Sequence, residues 1–165
     1  MNKLQKSRII AVMLLVIWAA VIFAMSAQPA KESSQLSGGI VKKVISAVCS
    51  DFENLSAERQ TRITSTVTLI VRKTAHFLEY FILGLLAFVT ANTFRRYKFF
   101  VRTLSAADFC MLYAVSDEIH QYFVPGRACR FGDICIDTAG SILAIVLLAW
   151  IVIIKKKRKS GEFNA

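Results

Sequence analysis

With 165 residues, 55% of them hydrophobic, and 21 Lys and Arg against 11 Asp and Glu, the chain is short, apolar and basic. Its apolar residues are bunched in long runs, which argues against a soluble domain and for an all-α polytopic membrane protein. The net charge of +10 is no signature of nucleic-acid binding, because the excess lies at the ends of the apolar runs, where it sets topology.

Lys3, Lys6 and Arg8 precede an uncharged run over 9–24. With residues 25–27 it nears the roughly 20 residues of a spanning helix, so 9–27 is the first predicted span. Ala24, Ser26 and Ala27 also resemble a signal-peptide cleavage site, although the later spans favour a retained helix. Pro29 and a Ser/Gly patch over 33–39 break the run. Leu36, Ile40, Val44 and Val48 then recur every four residues, with Lys42, Lys43 and Ser46 opposite, which predicts an amphipathic helix on the membrane surface. Residues 51–62 are charged and helix-favouring, with Ser56 as a candidate N-cap.

The second predicted span, 67–92, carries Arg72, Lys73, His76 and Glu79 in its first turns. Arg95, Arg96, Lys98 and Arg102 follow. The third, 99–123, is interrupted by Arg102 and by Asp108, which is expected to pair with Arg102 or with another span's end; this segment inserts only with partners, or is re-entrant. Pro125 and Gly126 make a tight turn. The fourth span, 134–154, is halted by the basic run 155–159 that opens the tail 155–165, while Gly140 and Ala144 form a small-residue pair suited to close helix packing.

The N-terminus, the 95–102 connection and the tail hold Lys and Arg with Glu162 as their only acid, so the positive-inside rule puts both termini in the cytoplasm. The connection 28–66 and the Pro125 turn then lie outside. Four cysteines show no Cys-x-x-Cys spacing. Cys110 reads as packing. Cys129 and Cys135 are near enough to bridge in an oxidising exterior, although Cys135 reads more naturally as the start of a helix.

Ionisable groups inside a bilayer are costly and persist where they are paired or used. Lys73, His76, Glu79 and Tyr80 open the second span; Asp117, Glu118, His120 and Gln121 close the third; Arg127, Asp133 and Asp137 follow. Helical spacing puts Lys73, His76 and Tyr80 on one face, Asp117, His120 and Gln121 on another, and Asp133, Asp137 and Gly140 on a third. All of these named polar residues are candidate ligand-binding residues at the outer rim. Among them His76, Glu79, Asp117, Glu118 and His120 carry the groups that acid–base chemistry would need. Lys73 and the forks of Arg127 and Arg130 suit a phosphate or carboxylate. A purely structural alternative is an ion-pair lock, with Lys73 on Glu79 or Asp117 and Arg127 on Asp133 or Asp137. His-x-x-Glu and Glu-x-His are too short to specify a metal, and no metal or cofactor is predicted.

The ordered segments K-T-A-H-F-L-E-Y-F-I-L-G (73–84), S-D-E-I-H-Q-Y-F-V-P-G-R (116–127) and D-I-C-I-D-T-A-G (133–140), with S-A-Q-P at 26–29, resemble the VanZ-like family of bacterial membrane proteins. The likeness covers about residues 10–150. It implies one small multi-span domain over 1–165, a four-helix bundle with a helical extracytoplasmic connection, in the cell envelope of Gram-positive bacteria. The family's named member is associated with resistance to the lipoglycopeptide teicoplanin, and no settled reaction comes with the family. Two functions are therefore expected. One is an outward-facing site, in contact with the lipid bilayer, for an anionic lipid headgroup, a cell-wall precursor or a lipoglycopeptide. The other is a hydrolase or transferase acting on an envelope lipid or glycan, with His76 or His120 as base and Glu79 or Asp117 as acid.

Overall fold

A computed structural model describes residues 2–162 of the chain. Its helices, in order, are α1 (Lys3–Ser26), α2 (Ala30–Val48), α3 (Ala57–Asn92), α4 (Phe99–Tyr122) and α5 (Phe131–Glu162), with a single 3-10 turn at Phe52–Asn54. No strand occurs among the described residues. α1, α3, α4 and α5 are each long and apolar enough to cross a membrane, so the chain is a helical membrane protein with four candidate spans, as predicted.

Each boundary has a local cause. Asn2 caps α1 through a capping box: its side chain accepts from the Leu4 N–H, and its own N–H donates to Gln5 Oε1. Pro29 lacks an N–H to continue α1 and stands at the N-cap position of α2. Ser56 stands at the N-cap position of α3, as expected, but its side chain makes no capping bond. At 36 residues α3 is about 54 Å long, well beyond the ~30 Å of a hydrocarbon core, so its early turns run past the other spans. Residues 57–62, expected in a separate charged segment over 51–62, belong to those early turns.

α2 differs from expectation in its face. Ile40 and Val48 are exposed, whereas Val41 and Ile45 are buried against α3, along which α2 runs antiparallel. Lys42, Lys43 and Ser46 are exposed as predicted. The Leu36 side chain lies outside the described residues. A strip of period four drifts around a helix of 3.6 residues per turn, and contact with α3 selects the neighbouring positions.

The core consists of Ile22, Tyr80, Leu83, Ala87, Phe88, Ala106, Cys110, Ala114 and Ile145. Outward faces are apolar as well, with Ile10, Met13, Ile17, Leu104, Leu112, Val146 and Trp150 exposed, as befits a lipid solvent. α3 and α5 run parallel and approach closely through glycines. A Cβ on Gly84 would stand 2.8 Å from the Ser141 Cα, and one on Gly140 would collide with the Phe77 carbonyl oxygen. Ala144 is fully buried one turn beyond Gly140, as the small-residue pair predicted.

At the end of the bundle where the chain termini lie, the Arg8 Nη2 donates to the Thr93 carbonyl (3.1 Å) and the Arg102 Nη1 to the Asn92 carbonyl (3.2 Å). Arg102 therefore caps the C-terminus of α3, a favourable place for a cation, and does not pair with Asp108, which is exposed on α4.

Candidate functional site

The predicted polar residues gather at the opposite end, where α1 and α4 finish and α5 begins. They divide into separate groups instead of one pool. In the first, Ser26 Oγ donates to Asp117 Oδ2 (2.9 Å), and Gln121 Nε2 donates to the same oxygen (3.0 Å). Gln121 Oε1 accepts from Arg127 Nη1 (3.2 Å). The Arg127 Nε and Nη2 reach the carbonyls of Gln28 (2.8 Å) and Met25 (3.2 Å), so one guanidinium fastens the end of α1 to the end of α4. Gly126, at φ +76°, supplies the left-handed turn that aims Arg127 inward. Burial lowers the Arg127 pKa from its ordinary value and the nearby Arg72 charge adds to that, while Asp117, Glu79 and Glu118 pull the other way.

The second group joins α3 to α5. Lys73 Nζ meets Asp133 Oδ1 at 3.5 Å, and His76 Nδ1 lies 3.5 Å from Asp137 Oδ1. Asp137 is fully buried, and neither of its carboxylate oxygens has a hydrogen-bond partner among the described residues. Tyr80, a turn deeper, is also fully buried with its hydroxyl unpartnered. These pairings replace those expected of an ion-pair lock: Lys73 takes Asp133 in place of Glu79 or Asp117, and Arg127 takes an amide and two carbonyls in place of Asp133 or Asp137.

Glu118 and His120 stand apart. Glu118 Oε2 accepts from the Arg130 N–H (2.8 Å), and so secures the approach to α5. The His120 ring stacks on Phe23, with centroids 4.2 Å apart, and its Nε2 is buried without a partner. It does not join Asp117 and Gln121, although spacing had put the three on one face. Cys135 sits in the early turns of α5; it and Cys129 are exposed and free. No three His, Cys, Asp or Glu among the described residues are grouped as metal ligands.

A cavity of about 290 Å³ opens between the end of α1, α2 and α3. Of the predicted residues, His76, Glu79 and Arg127 line it, and the others do not. Arg72, Ser26, Gln28, Ser33 and Thr68 line it as well, and none of them is among the site residues expected from the sequence. A signal for Arg72 was present: residues 72, 76 and 79 share a helix face as surely as 73, 76 and 80. Trp18, expected to be an ordinary aromatic of its span, donates from Nε1 to the Glu79 carbonyl (2.9 Å) and so holds that turn of α3 in place.

A family model described as VanZ/LLP1 matches residues 11–154, nearly the whole chain. Comparison with curated proteins and with solved structures gives no match.

Proposed function

The chain belongs to the VanZ/LLP1 family, and from that premise we propose that it is a cell-membrane protein whose polar end binds the anionic head of an envelope lipid, a cell-wall precursor or a lipoglycopeptide. The reading takes this end as extracytoplasmic and both termini as cytoplasmic, following the charge distribution. The observation that carries it is the pairing of free and committed groups at the cavity. Arg127 is fully engaged in tying helices, while Arg72 lines the same cavity without an ion-pair partner among the described residues, and the Glu79 carboxylate faces it likewise. Arg72 would hold the anion, and Glu79 and His76 would take a hydroxyl or ammonium of the same head. The binding of a lipoglycopeptide in this way would lower susceptibility to teicoplanin.

To test this, the protein is purified in mild detergent and its co-purifying envelope lipids and precursors are identified by mass spectrometry. An anionic species should be retained by the wild type and lost by Arg72→Gln and Glu79→Gln at normal membrane abundance. If both variants retain it, or if each merely reduces abundance, the reading fails.

One observation favours a second reading. His76 lines the cavity beside Glu79, and its Nδ1 lies 3.5 Å from the buried Asp137 Oδ1, the pairing of residue types that a base with an orienting carboxylate needs. In an enzyme on an envelope lipid or glycan, His76→Ala would abolish turnover of the retained species at normal membrane abundance.

A further inference from the structure

The termini end of the bundle carries a second feature, unconnected with the polar site. Two grooves lie side by side there, of about 560 and 470 Å³, and they share Phe99, Arg102 and Val152 as a dividing ridge. Arg95 and Lys155 border the first, and Lys156 and Lys157 the second. No acidic residue lines either groove, and neither of the two ion pairs among the described residues lies at this end.

Arg8 and Arg102 are each occupied with a carbonyl at the C-terminal end of α3. Even so, Arg102 keeps a buried Nε with no hydrogen-bond partner, at the ridge between the grooves. The surrounding cations are exposed; the apolar wall of the first groove comes from α1, α3, α4 and α5, and that of the second from Phe99, Val152 and Ile153 of α4 and α5. Positive charge above apolar channels between spans is complementary to an anionic phospholipid, with its phosphate at the rim and its chains along the helices. Two such channels, each with its own cations and joined at a shared arginine, fit a lipid with two phosphates better than one with a single phosphate.

We propose that this end holds one glycerophospholipid of the two-phosphate, diphosphatidylglycerol class, its phosphates on either side of Arg102 and its chains in the two grooves. The site owes nothing to the polar end, so the two readings can fail separately.

Native mass spectrometry of the full chain in detergent tests this, with titrations of diphosphatidylglycerol, phosphatidylglycerol and phosphatidylethanolamine. One diphosphatidylglycerol should be retained in preference to both others. Lys155→Gln/Lys156→Gln/Lys157→Gln, which changes exposed side chains only, should weaken it on the order of a hundredfold. Arg95→Gln should weaken it to a lesser degree, and Arg72→Gln should leave it unchanged. Equal retention of phosphatidylglycerol, retention of none, or retention undiminished by the triple substitution would overturn the proposal.

Discussion

Asp117 accepts two hydrogen bonds on one carboxylate oxygen and none on the other, so its worth to the fold rests on Ser26 and Gln121. Removing it leaves the buried Gln121 Nε2 with only the longer bond to Ser26 Oγ (3.4 Å). Asp117→Ala should therefore cost about 1–3 kcal/mol, against less for Ser26→Ala, as thermal unfolding in detergent would show. Arg127→Lys keeps the charge but not the fork that serves Gln28, Met25 and Gln121 together, and it should destabilise nearly as much as Arg127→Ala. The polar residues themselves were legible in the sequence, because ionisable groups beside long apolar runs are conspicuous. Their partners were not. Whether Lys73 meets Glu79, Asp117 or Asp133 depends on helix rotation and on the relative height of α3 and α5, and neither leaves a mark in the spacing within one helix.

Between elements, the contact of α3 with α5 is governed by the absence of side chains. Gly140→Ala would push a methyl into the Phe77 carbonyl and should cost about 1–3 kcal/mol as an overpacked contact. Gly132→Ala, with nothing within 4 Å, is the control; it should stabilise α5 by about 0.5–1 kcal/mol through helix propensity alone. Asp108 is exposed near the middle of α4, and Asp108→Leu should ease insertion of that helix by roughly 2.5–3.5 kcal/mol in a translocation assay. Gly140 and Ala144 could be read as a close-packing pair from sequence. The matching role of Gly84 could not, since its counterpart, Ser141, is on a different helix.

At the scale of the molecule, four apolar runs were enough to fix four candidate spans, because length and hydropathy settle that question before packing does. The course of α2 was not fixed in the same way. Its true inward face, Val41 and Ile45, adjoins the expected one, and only the long overhang of α3 gives it something to lie against. The proposed orientation makes one further prediction. A chain with Cys129 as its sole cysteine should react with a membrane-impermeant maleimide on intact cells, since that thiol is exposed at the polar end; labelling only after permeabilisation would reverse the topology.

The glycine seam has a bearing on how a guest would be admitted. Backbones that touch through Gly84 and Gly140 leave α3 and α5 no slack to part, so the chamber's back wall is fixed. Its front is α2, which rests on α3 and is linked to α1 by only a few residues around Pro29. α2, whose start donates from the Ala30 N–H to the Pro125 carbonyl, is the wall that the glycine seam does not hold, and a cross-link between α2 and α3 should shut the chamber without touching any charged group.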